Sequence, residues 1–217
     1  MKKNVFNLIL GSILCSFVLS CTINNETLFE KDFVFVKGAT IEGAIQAEGY
    51  PESYWFKAGA KHVIKDFYIC NHEITQQEFA MYGMKNYDVR VELSGESIGP
   101  YYPAHQVNWF DVLMYCNRRS VAEGLTPCFS IGGETNPDKW GRQPDSQEDP
   151  GWDDWYHAKC DFTANGYRLP TIVEWEYAAR GGNGLTGYQY KYAGSDDLDE
   201  VAWSFFCDII LESSQEV

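Results

Sequence analysis

The sequence predicts an α+β fold that is irregular and rich in loops. Three observations carry that expectation. Strand-like runs are few and do not alternate regularly with helical ones, which argues against a doubly wound parallel sheet. The expected helices are short, and each is announced by a capping residue. Rings are abundant, with 7 Trp, 14 Tyr and 13 Phe; each buries a large apolar area and can stand in for sparse regular structure. The chain has 217 residues, enough for one domain, at most two, with a real core. Its 17 Lys and Arg against 31 Asp and Glu leave a net charge of -14. That balance argues against nucleic-acid binding, which needs a basic face for phosphates. It argues equally against a polybasic membrane patch.

The chain opens on an export signal. Lys2 and Lys3 form a short basic region, and the apolar run from Val5 to Leu19 is broken only by Asn7, Gly11, Ser12 and Ser16. That is the layout of a secretory leader rather than of a stable membrane span. Val18-Leu19-Ser20-Cys21 resembles a bacterial lipobox, with a small residue before a cysteine that becomes the lipidated N-terminus. Residues 1–20 are therefore expected to be a lipoprotein signal peptide, Cys21 the lipidated residue, and 21–32 a polar tether. An ordinary cleaved leader with Cys21 incidental is the alternative. Anchoring by acyl chains needs no spanning helix. The expected location is the bacterial cell envelope, facing periplasm or exterior, with membrane contact only through the lipid. The compartment permits disulfides. No CxxC pair occurs among the seven cysteines, so a zinc-ribbon or thioredoxin reading has no support. Cys128 and Cys160 bracket a polar loop and are the best candidates for a bridge; buried reduced thiols are the alternative.

The remaining elements follow in order. Phe33-Val34-Phe35-Val36 is a short β run closed by Lys37-Gly38, and 39–59 reads as loop. Residues 62–69 have the β-branched and aromatic content of one strand. Thr75 and Glu78 have capping-box spacing, so a helix begins there and ends near Gly83. After a long connection over 85–106, Asn108 caps the clearest helix, with Asp111 in its first turn and Gly124 past its end. Val112, Tyr115, Cys116 and Arg119 share one face of it, so Arg119 must snorkel or pair. Residues 130–158 read as a solvated acidic loop holding Trp140, Trp152, Trp155 and Tyr156 among Asp145, Glu148, Asp149, Asp153 and Asp154. The offsets of a calcium loop are absent. Thr171 and Glu174 form another capping box, and the helix they start stops at Gly181-Gly182. Ile172, Trp175 and Ala179 share one of its faces.

Several segments resemble the formylglycine-generating enzyme family, also called the sulfatase-modifying factor family. Gly166-Tyr167-Arg168-Leu169-Pro170-Thr171, followed by Glu174-Trp175-Glu176-Tyr177-Ala178-Ala179-Arg180-Gly181-Gly182, is similar to its most recognisable motif. Tyr102-Pro103-Ala104-His105-Gln106-Val107-Asn108-Trp109-Phe110-Asp111 resembles a second, with Tyr115-Cys116-Asn117 and Glu123-Gly124-Leu125-Thr126-Pro127-Cys128. Phe67 to Thr75 resembles the first strand-to-helix motif, and Tyr190 to Ser195 with Val201-Ala202-Trp203 the segment that follows, all in the family's order. The resemblance implies an irregular α+β fold related to C-type lectins. In some members it implies oxidation of a sulfatase cysteine to formylglycine, with copper held by two cysteines and molecular oxygen; others serve as non-enzymatic partners in surface assemblies.

The resemblance spans 33–203, and residues 204–217 read as an unrelated tail. The later family stretches that carry the copper cysteines, and most of the calcium sites, have no counterpart here, so the domain is expected to be incomplete. No catalytic or metal-binding residue is assigned, and no cofactor is expected in this chain. Cys207 has no activating neighbour. His62, His72, His105 and His157 form no metal-binding pattern and read as structural. Glu174 is explained by capping, Glu176 points elsewhere, and Arg168 and Arg180 are expected to pair locally. The reading is a surface lipoprotein with a truncated domain, not catalytic by itself, in a binding or remnant role. Its partner would be an unidentified protein, such as a sulfatase or a surface assembly. Two alternatives stay open: a formylglycine-generating oxidase whose missing half is supplied elsewhere, and a lectin-like binding module resting on fold analogy.

Overall fold

A computed structural model describes residues 32–43, 55–84, 98–182, 190, 192–197 and 200–201, with the backbone of 20–21. Residues 1–19 of the expected 1–20 leader, most of the tether and the tail, including Cys207, lie outside the described residues. In chain order the elements are β1 (Ser20–Cys21), β2 (Phe33–Val36), β3 (Thr40–Glu42), β4 (Lys61–Val63), β5 (Phe67–Cys70), α1 (Gln76–Met81), α2 (Trp109–Ala122), β6 (Phe129–Ser130), a 3-10 turn (Pro137–Lys139), α3 (Trp152–Tyr156), β7 (Lys159–Cys160), β8 (Tyr167–Arg168) and α4 (Ile172–Ala179). The chain falls into two compact units. One draws on Leu28–His72 and Pro170–Glu212, the other on Glu73–Leu169 together with β1.

In the first unit β2 pairs antiparallel with β5, from Phe33 opposite Cys70 to Val36 opposite Phe67. Phe33, Val36, Phe67, Ile69 and Cys70 are buried, while Phe35 stays out and meets its cross-strand partner Tyr68 edge-on at 5.3 Å. The single strand expected over 62–69 is two strands. β4 pairs with β3, and residues 64–66 interrupt the run before β5. The interruption has a cause. Asp66 Oδ1 accepts the Gly38 N–H at 2.9 Å and Oδ2 takes Lys37 Nζ at 2.6 Å. A Cβ on Gly38 would stand 2.3 Å from the Ile64 carbonyl, so the β2–β3 connection crosses the break only through glycine. The hydrogen bond from Lys37, then that from Gly38, hold the Asp66 carboxyl below its ordinary value.

α4 completes this unit. Its Thr171–Glu174 capping box forms as expected. Glu174 and Tyr177 are buried, whereas Ile172 is 53% exposed. Tertiary anchoring decides this. Tyr177 is fully buried and its hydroxyl donates to the Lys37 carbonyl at 2.8 Å, locking the helix to the end of β2.

The second unit is organised by α2, and its core reaches well beyond one apolar stripe. Val112, Leu113, Tyr115, Cys116, Asn117, Arg119 and Ser120 are all buried. The capping box pairs Asn108 with Asp111. The polar members act as pins for loops. Asn117 Nδ2 donates to the carbonyls of Phe129 and Thr135, both at 2.7 Å, and its Oδ1 accepts the Phe129 N–H at 3.0 Å. Ser120 Oγ donates to the Cys116 carbonyl at 2.7 Å and accepts the Tyr167 N–H at 2.8 Å. These bonds satisfy backbone groups that a longer sheet would otherwise pair. α1 does the same for residues 99–104. Gln76 takes the Gly99 N–H and reaches the Pro103 carbonyl, each at 3.3 Å, and the Gln76 N–H meets the Tyr102 carbonyl at 2.8 Å. The acidic segment 130–158 is not loop throughout, since it contains the 3-10 turn and α3.

Candidate functional site

The densest polar cluster lies inside the second unit, where α1, α2 and β8 meet. α1 ends at Tyr82, α2 carries Tyr115 and Arg119, its C-terminal cap is Glu123, and β8 brings Tyr167. Arg119 Nε donates to Glu123 Oε1 at 2.9 Å and Nη1 to the Tyr115 hydroxyl at 3.3 Å. Tyr82 donates to Glu123 Oε1 at 2.6 Å, and Tyr167 donates to Oε2. The guanidinium also lies over the Tyr167 ring at 4.5 Å and near the Tyr82 ring at 5.7 Å. Arg119 is therefore paired, one of the two outcomes its position on the apolar face demanded.

The electrostatics make this cluster a structural fastener. Burial opposes the Arg119 charge, but Tyr115, Tyr167, Glu123 and Tyr82 more than offset it and hold the guanidinium charged. Burial, and then the hydrogen bond to Glu123, push the Tyr82 phenol up to about 12; burial also raises Tyr115. Neither Tyr82 nor Tyr115 exchanges a proton near neutral pH.

The thiols are equally quiet. Cys70, Cys116 and Cys128 are buried and reduced. Burial, and then Cys160, push the Cys128 thiol up to about 12; burial, and then Cys128, raise Cys116. Cys128 and Cys160 are both thiols in this structure, with Cys160 opposite Phe129 in the β6–β7 pair. The Cys128 Sγ donates to the Gly166 carbonyl at 3.1 Å. Of Cys21 only the backbone is described, opposite Tyr167 in the β1–β8 pair.

The histidines are dispersed. His62 Nε2 lies 2.9 Å from the Trp55 carbonyl, and His157 Nδ1 lies 2.8 Å from the Asp153 carbonyl. Cys70 Sγ, His72 Nδ1 and Asn71 Oδ1 form a chain of 3.6 and 2.7 Å. This has the residue types of a nucleophile, a base and an orienting amide, but Cys70 is 0% exposed and no substrate atom reaches it. His105 is buried, with no hydrogen-bond partner at Nδ1, beside Gln106 at φ 54. Arg180 pairs with Glu176 at 3.0 Å. Arg168 donates to the Leu169 carbonyl at 3.0 Å and lies 4.9 Å over Phe162. Among the described residues, no group of three His, Cys, Asp or Glu is placed to hold a metal ion.

What the sequence reading missed is an aromatic stack around α3. Trp155, 2% exposed, meets Trp140 at 5.7 Å and Phe110 at 5.2 Å. Phe110 meets Trp152 at 5.9 Å, and Trp152 stacks on Tyr156 at 6.0 Å with the planes 17° apart. The signal was present in the spacing: Trp152 and Tyr156 stand four apart and therefore share a helical face.

This geometry defines an irregular, loop-rich α+β framework of the formylglycine-generating-enzyme type, related to C-type lectins, whose loops are pinned by buried polar side chains. Residues 22–209 match the Sulfatase-modifying factor enzyme 1-like domain, and the chain belongs to that family. It is 34% identical over 184 residues to the Chaperone protein LppX of Paenibacillus barcinonensis, across 85% of this chain and 57% of that protein. Treponema denticola variable protein 1 superposes with a TM-score of 0.53 at 26% identity, over 76% of this chain and 57% of that one. The crystal structure of CarF gives 0.52 at 23% identity, over 76% and 64%, a likeness of fold alone. The chain thus spans a little over half the length of the curated relative it matches.

Proposed function

We propose that this chain is a non-catalytic, polypeptide-binding member of its family, held at the bacterial cell envelope by a lipid on Cys21 and working without copper or calcium. The observation that carries the binding role is the 34% identity, over 184 residues, to a protein named a chaperone. The rigid interior suits such a role, because its titratable groups are tied up in packing and only its surface is open to a partner. Among the described residues, no helix is long and apolar enough to cross a membrane. The lipid is supported by the basic start, the apolar run and the Val18–Cys21 motif.

The test of binding is light scattering from a thermally unfolding enzyme, citrate synthase, with and without the purified full chain. The expected result is delayed aggregation at equimolar ratio, unchanged by chelators; aggregation at the same rate as with serum albumin would overturn the reading. The anchor is tested separately in bacterial cells fed labelled palmitate. Label should enter the wild-type chain and vanish in Cys21→Ser; label retained in that variant would reject Cys21.

A further inference from the structure

We propose that Cys128 and Cys160 are a disulfide-forming pair that staples the segment 129–159 at its base when the chain folds in the oxidising envelope. The pairing rests on the geometry of the second unit; only the place of oxidation rests on the envelope reading above.

The two cysteines stand at the base of a long excursion. β6 and β7 pair through Phe129 with Cys160 and Ser130 with Lys159. The register continues one step outward, where the Asp161 N–H donates to the Cys128 carbonyl at 2.8 Å. Cys128 and Cys160 are thus diagonal neighbours across the ribbon. Such neighbours have Cα atoms about 6 Å apart, within the span of a disulfide. Cys128 lies just outside β6, so strand alternation does not fix the direction of its side chain. Its Sγ is held by a bond to the Gly166 carbonyl at 3.1 Å. Closing the bridge costs that weak bond and a rotation about Cα–Cβ. After burial, Cys160 is the group that most raises the Cys128 thiol, as a second thiolate close by would.

The other described cysteines are poorer candidates. Cys70 ends β5 in the other unit, Cys116 lies in the middle of α2, and both are 0% exposed. Cys160 is half-buried, so a donor disulfide can reach it. The Cys160 thiolate attacks the disulfide of a thiol oxidoreductase or of oxidised glutathione, which forms a mixed disulfide and expels one donor thiolate. The Cys128 thiolate then attacks the Cys160 sulfur; the new S–S bond closes and the second donor thiolate leaves. The two protein thiols lose two protons and two electrons, and the donor disulfide gains them. Burial leaves Cys128 little thiolate in the folded chain, so closure belongs to folding, before that thiol is covered. The gain is local. β6–β7 has two residue pairs, too few to hold a ribbon by themselves in water. Yet it closes the segment that carries the 3-10 turn, α3 and the Trp140–Trp155 contact. A covalent link there restricts that segment in the unfolded chain.

The test refolds the reduced full chain from urea in a buffer of reduced and oxidised glutathione, blocks the remaining thiols with N-ethylmaleimide and digests with trypsin. Cleavage after Arg119, Lys139, Lys159 and Arg168 puts the two cysteines in separate peptides, 120–139 and 160–168. Mass spectrometry should find these two peptides joined, with Cys70 and Cys116 alkylated. The oxidised wild type should melt about 10 °C above Cys160→Ser, and dithiothreitol should erase the difference. Both peptides alkylated, or Cys128 joined to Cys116 or to any other cysteine, overturns the proposal. So does a bridge that forms without raising the melting temperature, since it would staple nothing. The refolding result does not depend on the palmitate test, so either reading can fail alone.

Discussion

Replacing Arg119 with alanine should lower the unfolding free energy by about 3 kcal/mol, read from urea denaturation followed by tryptophan fluorescence. The substitution leaves Glu123 as a partly buried anion without its cation, at the point where Tyr82 and Tyr167 also donate to it. It also removes the guanidinium from the Tyr167 ring. α1, α2 and β8 then lose the group that joins them. Glu123→Gln keeps an acceptor for one tyrosine but takes the carboxylate away from the more deeply buried Arg119, so its cost should also be about 3 kcal/mol. A loss below about 1 kcal/mol in Arg119→Ala would show that the cluster does not organise this unit.

Gly166→Ala should be comparably severe, costing about 3 kcal/mol and showing as a large fall in melting temperature. A Cβ there would stand 2.3 Å from the Thr126 carbonyl and 2.6 Å from Ser120 Oγ. The serine can rotate away, but the carbonyl is backbone and cannot. Relief requires residues 165–168 to move off α2. That breaks the Tyr167–Ser120 bond and the thiol contact from Cys128 to Gly166. Ser120→Ala in the same chain should therefore fail to rescue the variant; full rescue would show that the carbonyl yields.

Local features were legible in the sequence and distant ones were not. All three helix starts at Thr75, Asn108 and Thr171 form as read, because a capping box is complete within four residues. The strand over 62–69 was misread because its interruption depends on Gly38 and Lys37, far away in the chain. Which face of α4 is buried was not legible for the same reason. Tyr177 is turned inward by a carbonyl 140 residues earlier, and Ile172 is left outside. α3 has five residues amid acidic neighbours, too short a run to show periodicity. Asn117 and Ser120 look like surface residues in an apolar-polar pattern, yet they hold the loops in place. The family motifs themselves were readable, and the structure shows why these residues occur there. Gly166 makes room for Thr126, Tyr167 and Glu123 close the Arg119 cluster, and Glu174 caps α4. The motif residues seen here serve mainly as framework.

That leaves the claim that the framework serves binding and not oxidation. The most direct measurement incubates the purified full chain with copper, oxygen and a cysteine-containing sulfatase peptide, and follows the peptide by mass spectrometry. The predicted result is a peptide whose cysteine is unchanged; conversion to formylglycine that depends on both copper and oxygen would contradict it.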